Sequence, residues 1–200
     1  MTYFQYFLKR KTALILIVGA SLMAGFGYTA TQPFEYQSVV KLIVVHGNEQ
    51  LDSYTASRAA ERSAKTLSNV VGTTSFFENV LALDPSISDA FGANESDQRE
   101  NWERSIEATV TPDTGVLTIA VYSKQPKIAE AIANASAKTI STQQWKYLGA
   151  GTSAVVEIID APLTSTHPVR PNILLNFISS LILGVMIAVV YVVLTTSEHV

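Results

Sequence analysis

The sequence predicts an α+β fold in which two transmembrane helices flank one extracytoplasmic mixed α/β domain, whose elements run β-α-α-α-β-β-α-β. Three observations predict it. No formal charge occurs in the 23 residues between Lys11 and Glu35 or in the 27 between Arg170 and Glu198. Nearly all charge falls between those stretches, where eleven Lys and Arg oppose sixteen acids, a balance of −5. Within this middle, the hydrophobic pattern switches between the two-residue repeat of strands and the 3.6-residue repeat of helices. At 48% hydrophobic and 16% charged, the chain departs from soluble domains, in which roughly a quarter of residues are charged. Such a balance excludes a plain soluble enzyme, a disordered chain and a basic nucleic-acid binder. The chain has no cysteine, which removes disulfides, thiolate metal sites and cysteine nucleophiles together.

Residues 12–30 form the first apolar run, 19 residues long and about 28 Å as a helix at ~1.5 Å per residue. The second, residues 173–194, is 22 residues long, about 33 Å by the same rise. Each matches a hydrocarbon core about 30 Å thick. Only Asn176, Ser179 and Ser180 interrupt the second run, all near its start. A cleaved signal peptide is the alternative for the first run. Its length and the bulky Tyr28 near a would-be cleavage site argue against that. The basic cluster Lys9-Arg10-Lys11 places residues 1–11 in the cytoplasm. Residues 31–171 then lie outside, spans cover 12–30 and 172–194, and the tail 195–200 returns to the cytoplasm. Small residues recur at four-residue spacing, Ala20 with Ala24 and Ser21 with Gly25. They offer close-approach faces to Gly184 and Ala188 of the second span or to a neighbouring subunit.

In the outside domain, residues 36–46 are rich in β-branched side chains and end at Gly47-Asn48, a strand bounded by a turn. Ala56, Ala60, Ala64, Leu67 and Val71 then repeat at helical spacing over 52–71. A short helix follows over 75–83 and ends at Asp84-Pro85. Residues 86–94 read as a loop, and 96–104 as a charged surface helix supported by the Glu100/Arg104 pair. Strict alternation makes 106–111 a half-buried strand. The segment Pro112-Asp113-Thr114-Gly115 supplies turn chemistry, with Gly tolerating positive φ, and 116–122 is the returning strand. Pro126 suits the first turn of a helix whose stripe of Ile128, Ala129, Ile132, Ala133, Ser136, Ala137 and Ile140 runs to about Tyr147. Gly149-Ala150-Gly151 stops it. Residues 154–160 form the last strand, expected beside the first. Pro162, Pro168 and Pro171 fix φ and donate no hydrogen bond, which makes 162–171 a stiff membrane-proximal connector. Arg170 is placed at headgroup level, as a lipid anchor or an intersubunit partner.

The residues of catalysis do not converge in the sequence. His46, His167 and His199 are scattered and have no metal-ligand spacing. Neither a nucleophile elbow nor a phosphate-cradling Gly-rich loop is present. The sequence therefore predicts no enzyme and no cofactor, and points to binding, organising or signalling. An accessory or sensor subunit with an extracytoplasmic ligand domain is one reading, although about 17 cytoplasmic residues in two pieces cannot form a folded output domain.

Three co-linear stretches carry a family resemblance. The opening span with Pro33-Phe34-Glu35-Tyr36-Gln37-Ser38-Val39-Val40-Lys41 resembles the start of the Wzz-type chain-length-determinant, or polysaccharide co-polymerase, family. Residues 114–121 with 125–135, where a strand ends and a proline starts a helix bearing Asn134, resemble its central signature. Asp160-Ala161-Pro162, then Pro168-Val169-Arg170-Pro171-Asn172 and Gly184, resemble the proline-rich entry to its second span. The resemblance implies a bacterial inner-membrane protein forming rings of identical subunits. Such proteins work with a membrane polysaccharide polymerase to set the length of O-antigen, capsule or exopolysaccharide. It also implies nascent polysaccharide and a separate cytoplasmic tyrosine kinase as further partners, beside the lipid bilayer. Two departures are visible. The helix over 126–147 is too short for the long protrusion of many members, and no kinase domain is present. The chain thus resembles the short membrane-adaptor subunits of two-component capsule systems. In such a ring, subunit contacts are expected from the exposed sides of residues 51–83 and 126–147 and from Arg99, Glu100 and Arg104. Charge reversal at Arg99 or Arg104 is expected to loosen the ring more than it unfolds the domain.

Overall fold

A computed structural model describes residues 11–47, 52–149 and 153–197. Lys9, Arg10, Asn48, Leu51, Ala150, Gly151 and His199, each invoked above, lie outside the described residues. In chain order the elements are α1 (Lys11–Thr31), β1 (Tyr36–His46), α2 (Ser53–Val71), α3 (Thr74–Leu83), a 3-10 helix (Pro85–Ala90), α4 (Glu95–Ser105), β2 (Ile106–Val110), β3 (Val116–Ser123), α5 (Pro126–Leu148), β4 (Ala154–Thr164) and α6 (Ile173–Ser197). The chain is a mixed α+β protein with an apolar helix at each end. It divides into a helical unit, Met1–Phe34 with Arg170–Val200, and an α/β unit, Glu35–Val169.

In the α/β unit the four strands form one antiparallel sheet in the order β2-β3-β1-β4. The first and last strands are neighbours, with Val44 opposite Val156 and Leu42 opposite Ile158. Alternation decides which face is buried. Ser38, Val40, Leu42 and Val44 of β1 and Leu117, Ile119 and Val121 of β3 are inaccessible or nearly so, and α2 and α5 pack over this face. Residues of the other parity, such as Val39, Lys41 and Ile43, remain partly or fully exposed. Helix α2 is started by Asp52, whose carboxylate accepts hydrogen bonds from the Thr55 amide at 3.2 Å and hydroxyl at 2.6 Å. Thr73 caps α3 through the Phe76 amide at 3.3 Å. Each cap satisfies a helix-end donor that would otherwise lack a partner.

Three sequence readings are corrected. Residues 86–94 are not all loop: Pro85–Ala90 is a 3-10 helix started by Asp84, which accepts from the Ser86 amide at 3.2 Å. Six residues are too few to show a helical period, yet Ile87 and the following Phe91 are buried. Strand β4 does not stop at Asp160. It continues through Pro162 to Thr164, so the proline connector begins inside the sheet. Proline is tolerated there because β4 is an edge strand and Pro162 falls at an irregularity in its pairing with β1. In the hairpin turn, the positive φ belongs to Asp113, at 57°, and not to Gly115. Glycine is needed at 115 for close approach instead. A Cβ there would run into the Val44 carbonyl oxygen and stand 2.9 Å from Ala60 Cβ.

An aromatic cluster fills the end of the core distant from the β2–β3 turn. Trp102 has ring centroids 5.0 Å from Phe77, 5.5 Å from Phe91 and 6.2 Å from Phe76. Its indole Nε1 donates to the Val71 carbonyl at 2.9 Å, satisfying the end of α2. Tyr147 stacks 6.1 Å from Phe76 and accepts from Asn79 Nδ2 at 3.1 Å. Burial pushes the Tyr147 hydroxyl above its ordinary pKa, against the opposing Asn79 hydrogen bond.

Glu61 is a buried acid on α2. Lys65 Nζ donates to its Oε1 at 2.8 Å and Arg58 to its Oε2 at 3.3 Å. The Lys65 hydrogen bond holds the Glu61 carboxyl below its ordinary range, outweighing the opposite effect of burial. A carboxyl whose pKa is lower folded than unfolded contributes its full stability above the unfolded value, about 4.3, and loses it as pH falls through the folded value. Urea midpoints of the full chain are therefore expected to drop below about pH 4.3 more steeply for the intact chain than for Glu61→Gln. Identical pH slopes would contradict the assignment.

Candidate membrane anchor and assembly surface

In the helical unit, α1 and α6 run antiparallel. Ser21 Oγ donates to the Ser180 carbonyl at 2.8 Å, and Asn176 Nδ2 donates to Thr29 Oγ1 at 3.1 Å. Thr29 Oγ1 in turn donates to the Gly25 carbonyl and Ser180 Oγ to the Asn176 carbonyl, both at 2.8 Å. A Cβ at Gly25 would overlap the Ser180 side chain. A Cβ at Gly184 would stand 3.0 Å from Ser21 Cβ and 3.2 Å from Val18 Cα. Ala188 and Val192 continue the buried stripe of α6. Both helices thus present a four-residue repeat, Ser21-Gly25-Thr29 against Asn176-Ser180-Gly184-Ala188. This is the close backbone approach with interhelical hydrogen bonds that holds helices together where no hydrophobic force between them acts.

Ser21, Gly25, Gly184 and Ala188 are therefore brought together, whereas Ala20 and Ala24 lie on an exposed face of α1. Asn176, Ser180 and Thr29 were missed as partners, because polar residues in an apolar run read as interruptions. Their place in the four-residue repeats that run through Gly184 and Gly25 was the signal. Outside this seam the helices are apolar and uncovered, with Leu16, Met23, Phe26, Leu174 and Met186 all exposed. Both helices are long and apolar enough to cross a bilayer.

In the α/β unit, the segment after β4 runs beside the start of β1. The Ser165 amide donates to the Gln37 carbonyl and the Val169 amide to the Glu35 carbonyl, both at 2.8 Å. Pro162 sits within the edge strand and Pro168 on the exposed stretch between these two bonds. Arg170 and Pro171 belong to the helical unit and are joined by a cis peptide bond. On α4, Arg99 pairs with Glu95 at 3.4 Å and Arg104 with Glu100 at 2.7 Å, all four side chains well exposed. Exposed pairs of this kind contribute little to stability. What fastens α4 to the domain is Trp102 on its opposite side.

Two of the three histidines, His46 and His167, are among the described residues. His46 Nε2 lies 3.0 Å from Ser63 Oγ, and His167 Nδ1 lies 2.9 Å from Thr166 Oγ1 on the surface. Among the described residues, no group of three or more His, Cys, Asp or Glu could hold a metal ion. A cleft of about 260 Å³ is lined by Phe91, Asn101, Tyr122, Lys124 and Gln125.

Residues 138–197, 60 of the 200, match the family model GNVR, described as "G-rich domain on putative tyrosine kinase". The match runs from the second half of α5 through β4 and the proline segment into α6. This domain type is associated with polysaccharide co-polymerase and capsule-export proteins. No curated protein matches the chain.

Proposed function

We propose that this chain is a non-enzymatic, oligomeric scaffold of the bacterial cytoplasmic membrane that regulates the chain length and export of a surface polysaccharide, whether O-antigen, capsule or exopolysaccharide. The observation that carries this reading is the GNVR match across α5, β4 and α6. That segment is where an α/β domain is joined through a proline connector to a span. The resemblance of the N-terminal and central stretches to the Wzz-type family supports the same reading. Lys9-Arg10-Lys11 beside the first span favours cytoplasmic termini and an extracytoplasmic domain. The partners on this reading are further copies of the chain, a membrane polysaccharide polymerase, nascent polymer and a separate cytoplasmic tyrosine kinase.

A scaffold of this kind changes the product of another enzyme without touching the bond being made. Deleting the chain in its host is therefore expected to replace a preferred polymer length by a broad or short distribution on a gel, restored by the intact gene. An unchanged ladder would leave an accessory role in a membrane complex.

A further inference from the structure

Strand β4 is 11 residues long and forms one edge of the sheet. Val155, Ile158, Ile159 and Leu163 are 41–74% exposed along it. A long apolar edge is a template for unwanted pairing unless charge, proline, a bulge or a covering element blunts it, and here Val155 and Ile159 stay exposed beside the charges and irregularities of β4. Glu157 and Asp160 lie in the same stretch. Three residues apart in a regular strand, they would face opposite sides. The pairing irregularity between them instead sets Glu157 opposite Ile43 and Asp160 opposite Lys41, two residues that share the outward face of β1. Both carboxylates therefore share one face, about 7 Å apart along the strand at ~3.3 Å per step.

This charge pattern selects the partner. Two copies meeting β4 to β4 would set carboxylates against carboxylates, which is unfavourable across a strand pair. The opposite edge, β2, carries the exposed acid Glu107 on the face away from the core. Lys41 stands across from Asp160 within the sheet, and on the opposite flank a row of cations lies on α2, which packs over the β2 side of the sheet. Arg58, Arg62 and Lys65 recur at i, i+4 and i+7 and are exposed. Arg58 and Lys65 already hold Glu61, and Arg58 also lies 3.8 Å from Asp113. Arg62 has no side-chain partner among the described residues. Its charge faces outward from one flank of the domain while Glu157 and Asp160 face outward from the other.

We propose that α2 of one copy lies along β4 of the next, with Arg62 set against Glu157 and Asp160 and the helix covering Val155 and Ile159. The inference rests on the oligomeric reading above and names its contact. Because it joins two different surfaces, the contact is heterologous and propagates around a ring, where a two-fold contact would stop at a dimer.

The natural absence of cysteine makes the test direct in the full-length chain in membranes. With Arg62→Cys and Asp160→Cys as its only thiols, the chain is expected to give a ladder of disulfide-linked dimers, trimers and higher species on mild oxidation. Each single variant should stay monomeric on the same gel. Both sites are exposed, so the substitutions leave the core intact. Arg62→Glu, in an otherwise intact chain treated with an amine cross-linker, is expected to lower cross-linked oligomer at least tenfold, with recovery when Glu157→Arg and Asp160→Arg are added. A dimer formed by Asp160→Cys alone would overturn the proposal in favour of a two-fold contact. Absence of the ladder from a chain whose native mass in lipid nanodiscs is oligomeric would overturn this contact alone. A monomeric native mass would overturn the oligomeric reading and this contact with it.

Discussion

Trp102→Ala is expected to unfold the α/β unit under mild conditions. The indole is 1% exposed and touches three other aromatic rings, so its removal leaves a cavity that neighbours anchored in α3 and the 3-10 helix cannot fill. Truncations of this kind cost about 3–5 kcal/mol, a large share of the 5–15 kcal/mol typical of a folded domain. A second loss adds to it, because the Val71 carbonyl at the end of α2 is left without the donor that Nε1 supplies. Trp102→Phe loses the same hydrogen bond but keeps a six-membered ring, so it leaves a smaller cavity than alanine does. Urea unfolding of the full chain in detergent, followed by circular dichroism, should show a large drop in midpoint for alanine and a smaller one for phenylalanine. A midpoint for Trp102→Ala within experimental error of the intact chain would contradict this account of the core.

Gly184→Leu is expected to have the other large effect, in the helical unit. The Val18 backbone stands 3.2 Å from a Cβ at position 184, so a leucine forces the helices apart at the centre of their seam. Separation there lengthens the Ser21–Ser180 and Thr29–Asn176 hydrogen bonds together, since both depend on the same approach. Cysteines at Thr29 and Asn176 report the outcome, because they face one another and no other thiol is present. Their intrachain disulfide should form readily in the otherwise intact chain and at several-fold lower yield with Gly184→Leu. Ala24→Leu, on an exposed face of α1, should leave the yield unchanged. Equal losses from both substitutions would mean that the seam lies elsewhere on the helix.

Which features could be read from the sequence follows from how local their causes are. The β-branched run of β1 and the alanine repeat of α2 are local signals, and the elements they predict are present within a residue or two. The pairing of β1 with β4 was accessible because both strands connect to spans. Longer-range causes hid the rest. Pro162 ends a strand by ordinary propensity, and only its edge position and the pairing irregularity allow β4 to continue to Thr164. Gly115 read as a flexible turn residue, but its role is set by Val44 and Ala60, far away in sequence. Residues 96–104 read as a surface helix from their charge, and nothing in that pattern shows that Trp102 anchors it beneath Phe76 and Phe77. In the anchor, Ser21, Gly25, Gly184 and Ala188 were legible from small-residue spacing. The polar residues that bond across the seam required the two helices side by side.

The central claim is that this chain changes how long a polymer grows without making or cutting it. Reconstitution into proteoliposomes with the host's polysaccharide polymerase and its lipid-linked repeat units tests that most directly. Adding the intact chain should shift the modal polymer length while total sugar incorporation stays nearly constant, and the chain alone should produce no polymer. A length distribution indifferent to the chain, or polymer made or cleaved by the chain alone, would contradict the account.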